Sequence, residues 1–197
     1  MSLADRWPLD DHHPLRDELL AAWDRAGYHD LLHLTEVLDR LDLLAAAGAP
    51  FDATTVALAA WFHDAVYEGG TDDEERSAQW AERALPPAYA DEVARLVRMT
   101  VHHRPGDDDP AGGALSDADL AILAAPPARY EQYVAGVRAD FAHVADADFR
   151  AGRAAVLADL AAKPSLFHTP QAHALWESAA RANLVRELDE LGGLSGR

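Results

Sequence analysis

The stretch Val56-Ala57-Leu58-Ala59-Ala60-Trp61-Phe62-His63-Asp64 is the most informative part of the chain. An uninterrupted apolar run of this kind predicts a helix that is buried on all sides. The imidazole and the carboxylate at its end are therefore expected in the interior. Burying a carboxylate without a cation is costly, and no Lys or Arg lies within four residues of Asp64. The pair indicates a bound divalent cation.

Because His63 and Asp64 are adjacent in sequence, they can share one ion only if the helix ends near them. Neighbouring residues diverge by about 100° around an α-helix, so both side chains can bind one ion only where the helix ends. The break at Gly69-Gly70 follows closely in the sequence. It is compatible with a helix end near the pair.

The remaining sequence predicts an all-α fold. Leu, Ala, Arg and Glu are abundant and favour helix, and no segment alternates apolar and polar residues over the length of a strand. Glycines and prolines divide the chain into helix-sized pieces. We predict helices over about 14–26, 30–47, 52–66, 71–85, 88–100, 117–124, 127–145, 148–160 and 170–191, with a loop over 104–113. Thr169 is the predicted N-cap of the last helix, with Pro170 at its first position.

Length and composition exclude several classes of protein. A chain of 197 residues is expected to form one domain, residues 1–197, with a frayed tail over 192–197. The absence of cysteine excludes disulfides, thiolate metal sites and Cys nucleophiles. The formal net charge of -17 disfavours a nucleic-acid partner. It does not disfavour a small anionic substrate, because a bound cation reverses the local charge.

Two further features concern location. The chain has no run of about 18 apolar residues, so we expect no membrane span or membrane partner. The N-terminal residues lack the basic start and apolar stretch of a signal peptide. We therefore expect a cytoplasmic protein.

Upstream, His29 and His33 lie four residues apart on a predicted helix and share a face. His33 lies beside an apolar stripe that includes Leu34, Val37 and Leu38, so its side chain points inward or into a cleft. A hydrogen-bonded core histidine would fit this position as well as a metal ligand. The presence of the His63-Asp64 pair favours the ligand.

Downstream, Asp117 and Asp119 are predicted to open a helix, where acids also serve as caps. Residues two apart do not share a helical face, so only one of them is expected to bind a metal directly. The other could hydrogen-bond a histidine ligand.

Two more pairs are candidates for chemistry. Glu74 and Glu75 lie at the predicted start of a helix, and Thr71 and Glu74 have the spacing of a capping box. An acid at this position could transfer a proton, or it could act only as a helix cap. His102 and His103 follow a helix, where they could bind phosphate or respond only to the helix dipole.

The pattern H…HD…D formed by His33, His63-Asp64 and Asp119 resembles the ligand set of the HD-domain superfamily of metal-dependent phosphohydrolases. Further stretches make the chain similar to a bacterial family of predicted HD-superfamily phosphohydrolases, over a core of about residues 28–188. They are 28–33, 59–67, 73–78, 100–103, 115–123, 130–138, 152–157 and 180–184. Asp73 stands where that family is expected to have asparagine, and Phe141 where it is expected to have tyrosine.

The resemblance implies a single-domain, all-α HD bundle that binds one divalent ion: Mn, Mg, Fe, Co, Ni or Zn. It implies His33, His63, Asp64 and Asp119 as ligands, because Ala118-Asp119-Leu120 matches the closing motif better than Asp117 does. His29 and Asp117 are then supporting residues or alternative ligands.

The function implied is metal-dependent hydrolysis of a small phosphomonoester or nucleotide. Asp64 and Glu74 are the expected catalytic residues. The expected phosphate-binding residues are His102, His103, Arg138, Arg153 and Arg181. Two alternatives remain open at this point: a non-catalytic HD sensor that binds a nucleotide, and a di-iron HD-type oxygenase.

Overall fold

The computed structural model describes residues 2–193, and over that range the chain is all-helical, as predicted. Two short 3-10 turns, Leu3–Arg6 and Ala121–Ala124, accompany the α-helices. The helices are α1 (His13–Trp23), α2 (Leu31–Ala46), α3 (Ala53–Phe62), α4 (Asp73–Ala84), α5 (Ala90–Met99), α6 (Pro110–Leu120), α7 (Pro127–Asp140), α8 (Asp146–Ala162) and α9 (Pro170–Gly193). No helix among these residues is both long enough and apolar enough to cross a membrane.

Helix α3 is the centre of the bundle and packs against α2, α4, α5 and α6. Its apolar run is buried from Leu58 to Phe62, as the sequence predicts. The indole of Trp23 donates a hydrogen bond to the carbonyl of Trp61 (2.9 Å), and Trp7 packs edge-on against the Trp61 ring. These contacts hold the C-terminal end of α3 inside the protein, where the next two residues are polar.

Helix α3 ends at Phe62, earlier than the predicted 52–66 segment. At its start, Asp52 accepts a hydrogen bond from the backbone N–H of Thr55 (2.7 Å). At its end, His63 occupies the C-cap position and Asp64 lies outside the helix. The backbone therefore leaves helical geometry at the His63-Asp64 pair, which allows the two adjacent side chains to approach the same point.

Helix α6 starts earlier than the sequence predicts. Residues 104–113 were expected as a loop, but α6 begins at Pro110, where a proline has no intrahelical N–H to lose. Asp109 caps it by accepting from the N–H of Gly112 (2.9 Å). Asp117 and Asp119 therefore lie in the last turns of a helix, and the prediction that they open and cap one is wrong.

The other helix starts give one correction and one confirmation. The capping box predicted for Thr71 and Glu74 is wrong, because α4 begins at Asp73 without a side-chain cap. Asp73 instead accepts from the N–H groups of Glu68 (2.7 Å) and Gly70 (3.0 Å). The predicted cap of α9 is confirmed, since Thr169 accepts from the N–H of Ala172 (3.2 Å).

Two chain ends differ from prediction. Residues 192 and 193, expected in a frayed tail, continue α9. Residues 194–197 of that tail lie outside the described residues. The predicted helix over 117–124 is divided between the end of α6 and the second 3-10 turn.

Asp117 joins α6 to the start of α9. Its carboxylate is buried and accepts from the N–H groups of His168 (2.7 Å) and Thr169 (2.7 Å) and from the Thr169 hydroxyl (2.7 Å). Burial raises its pKa in spite of these hydrogen bonds. The proposed contact of Asp117 with a histidine ligand is not found among the described residues, because its oxygens serve the start of α9.

We expect Asp117→Ala to lower the free energy of unfolding by about 3 kcal/mol or more, because it leaves buried N–H donors without an acceptor. Urea denaturation measures the change. Asp108→Ala is the matched control, because Asp108 is exposed and makes no hydrogen bond within residues 2–193. A loss below about 1 kcal/mol for Asp117→Ala would contradict this role.

Candidate metal centre

Four side chains from α2, α6 and the end of α3 converge at one buried point. His33 Nε2 lies 3.1 Å from His63 Nε2 and 3.2 Å from Asp119 Oδ1. His63 Nε2 lies 3.3 Å from Asp64 Oδ2 and 3.8 Å from Asp119 Oδ1. The structure therefore brings together all four residues that the resemblance implies as ligands.

The donor spacing suits a metal ion. His33, His63 and Asp64 each offer one ligand atom within 4.8 Å of the others, so this group could hold an ion. Two donors about 2.1 Å from a common ion lie about 3.0–3.4 Å apart at octahedral or tetrahedral angles. Two imidazoles with carboxylates are a mixed N/O set, which suits first-row transition metals better than calcium.

The tautomer of His63 also fits metal binding. Its Nδ1 lies 2.7 Å from the carbonyl oxygen of Ala60, an acceptor, so Nδ1 carries the proton. A neutral imidazole then has its lone pair on Nε2, which faces the cluster. The backbone at the end of α3 thus orients the ring for coordination.

The cluster also carries strong internal electrostatics. Burial opposes a positive charge on His33, but hydrogen bonds to Asp119 and Asp64 and their charges outweigh it and raise the His33 pKa to about 9. Burial likewise opposes ionisation of the two carboxyl groups, yet the neighbouring histidines hold both pKa values below the ordinary range. The site therefore stabilises positive charge.

His29 lies at the edge of the cluster, held by a residue that sequence reasoning missed. Asp140, at the end of α7, lies 2.8 Å from His29 Nδ1 and accepts from the N–H of Tyr28. This leaves His29 Nε2 facing Asp64 Oδ2 at 4.0 Å. A side chain on Gly27, whose φ is +112°, would overlap the Asp140 carboxylate. Gly27 therefore allows Asp140 to reach this segment.

Arg25 is a second residue that the sequence did not reveal. Its guanidinium donates to the carbonyl oxygens of His29 and Asp64. It thereby ties the segment before α2 to the residue after α3. Arg25 lies far from Asp64 in sequence, so no local pattern could have identified this contact.

His103 adjoins the cluster at Asp119, whereas His29 adjoins it at Asp64. Its Nε2 lies 3.5 Å from Asp119 Oδ2, and its Nδ1 lies 3.1 Å from the Ser116 hydroxyl. Its φ is +48°, a conformation uncommon for a residue with a side chain. Burial lowers its pKa. This strained backbone aims a neutral imidazole at Asp119.

The cluster adjoins a large cleft with a volume of about 1070 Å³, and of its four residues only Asp119 lines that cleft. Its floor includes Tyr28, His29, His103 and Asp119, and its far wall is formed by α7, α8 and the residues between them. The Tyr28 hydroxyl is buried and has no hydrogen-bond partner among residues 2–193. Such a group next to a cleft is available to a ligand or to water. Tyr28 belongs to a stretch that resembles the HD family, but no role was predicted for it.

The three predicted phosphate-binding arginines already have partners. Arg153 forms an ion pair with Glu187 (2.8 Å), and Arg181 with Glu177 (2.7 Å). Arg138 donates to the carbonyl of Phe141 (2.7 Å). Of the three, only Arg153 lines the cleft.

The remaining predicted residues lie in different surroundings. His102 is exposed and lines the cleft. Glu74 is half-buried in the first turn of α4 and makes no hydrogen bond or ion pair within residues 2–193. Its charge acts on the phenol of Tyr67, which stacks on His29 at 3.8 Å between ring centres. Glu74 is thus separated from the cluster by other side chains.

Comparison with protein-family models, with curated proteins and with solved structures finds no match. The resemblance to the HD superfamily therefore stays a prediction. What supports a metal centre is the convergence of His33, His63, Asp64 and Asp119 from separate parts of the chain.

We expect His63→Ala and Asp64→Ala to lose a bound divalent metal, because each removes a donor from the buried cluster. Metal content is measured by elemental analysis after loading and dialysis against a chelator. Asp119→Asn should also lower the metal content, whereas Asp117→Asn should retain it. If Asp117→Asn releases the metal and Asp119→Asn does not, the choice between the two aspartates is wrong.

Proposed function

We propose that the protein is a metal-dependent phosphohydrolase that acts on a small phosphomonoester or nucleotide. The observation that carries the proposal is a His/Asp cluster that adjoins a cleft of substrate size, which it reaches through Asp119 and the neighbouring His29 and His103. Ligand clefts in proteins commonly have volumes of about 300–1,000 Å³. A metal held only for structure would be enclosed, without such access.

In this proposal, His33, His63, Asp64 and Asp119 hold one divalent ion. When bound, that ion supplies a Lewis acid that polarises a phosphoryl oxygen and lowers the pKa of water. We propose Asp64 as both a metal ligand and a catalytic residue. Its Oδ2 lies 4.0 Å from His29 Nε2. His103, next to Asp119 and on the cleft floor, is placed to contact a phosphate oxygen.

We assign proton transfer to Glu74, which makes no direct contact with the cluster within residues 2–193 and would therefore act through a water molecule. Its carboxylate makes no hydrogen bond or ion pair within residues 2–193, so it has no evident role in holding the fold. The adjacent Glu75 differs, because it is paired with Arg98 (2.6 Å). The two glutamates therefore form a natural comparison.

A second candidate is a di-iron oxygenase. It is favoured by the two extra histidines, because His29 adjoins Asp64 and His103 adjoins Asp119. Each carboxylate thus has a further imidazole next to it, as a second ion would require. Metal analysis separates the two enzymes: we expect about one ion per chain, whereas about two irons would favour the oxygenase.

The proposal is tested by assaying nucleotides, sugar phosphates and other phosphomonoesters with Mn, Mg, Fe, Co, Ni and Zn supplied in turn. Hydrolysis that depends on the metal and disappears in His63→Ala supports it. Tight nucleotide binding without turnover under all these conditions would favour the non-catalytic sensor.

With an active substrate, we expect Glu74→Gln to keep the metal and the fold but to lower kcat about 100-fold or more, because glutamine cannot transfer the proton. Steady-state kinetics and metal content are measured together. Glu75→Gln is the control and should retain wild-type turnover. A wild-type rate in Glu74→Gln would remove Glu74 from the mechanism.

A further inference from the structure

The far wall of the cleft is mainly apolar. Six apolar side chains from α7, α8 and the residues between them supply much of it. They are Val137, Phe141, Val144, Phe149, Val156 and Leu160. Val101, which follows α5 and also lines the cleft, is 46 % exposed, and Val156 is 55 % exposed. Exposed apolar side chains that line a cleft favour a ligand with apolar surface of its own.

Two cations lie at the same end of the cleft as the metal cluster. Lys163 is the only lysine in the chain, and its ammonium donates to the carbonyl of His103 (3.4 Å). Arg104 directly follows His103, is exposed and makes no hydrogen bond or ion pair within residues 2–193. Burial, and after it the positive charge of Arg104, lower the pKa of Lys163, so the two cations lie near each other.

These cations stand out against the rest of the chain. Most of its arginines are paired with carboxylates or backbone carbonyls, and the net charge is -17. Arg104 and Lys163 form no ion pair within residues 2–193, and they lie next to His103 and Asp119, where their positive charge favours an anion. Two acidic residues of α8, Asp148 and Asp159, also line the cleft, and Asp159 lies near enough to Lys163 for its charge to raise the Lys163 pKa. Arg104 forms no ion pair within residues 2–193, so its positive charge beside His103 is not offset in this way. The anion-attracting end is therefore the end nearest the metal cluster.

We propose that the substrate is an amphiphilic phosphomonoester, whose phosphate is drawn in by Arg104 and Lys163 and whose alkyl or aryl body lies against the α7–α8 wall. This inference rests on the proposed function and narrows its substrate class. Polyhydroxylated sugar phosphates are disfavoured, because the wall offers few hydrogen-bonding groups to replace the water that their hydroxyls would lose.

Hexyl phosphate and ethyl phosphate test the proposal directly. Both leave as simple primary alkoxides, so their intrinsic reactivities are matched and a difference reports on binding of the body. Each buried methylene strengthens binding by a factor of about 4. If the open cleft buries about half of the four extra methylenes, kcat/KM should be about 10-fold or more higher for hexyl phosphate.

The same preference should appear in equilibrium binding, followed by ligand-observed NMR titration of the protein with each phosphate. The double variant Val101→Asn/Val156→Asn should lower the preference for hexyl phosphate at least threefold. Val185→Asn is the matched control, because Val185 is 58 % exposed on α9 and does not line the cleft. Equal binding of the two phosphates, or a preference unchanged in the double variant, would overturn the proposal.

Arg104→Gln tests the cationic end. It should weaken both phosphates by a similar factor, about 5-fold, and leave binding of hexanol unchanged. Arg83→Gln is the control, since Arg83 is exposed and makes no hydrogen bond or ion pair within residues 2–193. Unchanged phosphate binding in Arg104→Gln would remove Arg104 from the site.

The two proposals can fail separately. If hexyl phosphate binds more tightly than ethyl phosphate but neither is hydrolysed with any metal, the ligand class stands and the phosphohydrolase proposal fails. If both esters are hydrolysed with equal kcat/KM and bind equally, the phosphohydrolase stands and the amphiphilic substrate is wrong.

Discussion

The close approach of His33 and His63, 3.1 Å between their Nε2 atoms, is the contact on which the rest of the site depends. Both rings are fully buried, and the carboxylates of Asp64 and Asp119 adjoin them. Negative charge placed in a protein interior must be balanced by a cation or a proton. The raised pKa of His33 shows that the two carboxylates stabilise a positive charge on its ring. A divalent ion at this point would balance the same negative charge through direct coordination bonds. The packing of α2, α3 and α6 thus brings these side chains to a single point, where a positive charge is stabilised.

Keeping that point in place requires contacts that no single helix supplies. Arg25 ties the carbonyl of Asp64 to the segment before α2, and Asp140 holds the same segment from the end of α7. Gly27 is where these contacts meet, since its positive φ and missing side chain leave room for Asp140. The wall of the cleft and the orientation of His29 therefore depend on one another through Asp140. A change in the position of α7 would alter both.

The sequence predicted those features that follow from local chemistry. The buried run of α3 and the Thr169 cap of α9 are each encoded by a few neighbouring residues, and both are present. The end of α3 was predicted at about Val66, whereas the helix ends at Phe62, just before the His63-Asp64 pair. The early start of α6 was missed, because a Pro-Ala-Gly-Gly segment has low helix propensity and only the Asp109 cap and tertiary packing make it helical. Arg25 and Asp140 were missed because their partners are distant in sequence. The arginines were assigned to phosphate because their type is suited to it, whereas the glutamates that occupy Arg153 and Arg181 become visible only in the fold.

The ion pairs formed by most arginines also affect whether so acidic a protein can bind an anion. Most guanidinium groups serve ion pairs or backbone carbonyls, so they contribute little net positive field outside their immediate surroundings. A cation without a carboxylate partner has a much larger local effect, and Arg104 and Lys163 both lie beside His103 at the cleft end nearest the metal cluster. The strained backbone of His103 is what places its imidazole at Asp119 while its carbonyl meets Lys163. The net charge of -17 therefore does not argue against the proposed anionic ligand, because the potential in the cleft depends on cations such as Arg104, which forms no ion pair within residues 2–193.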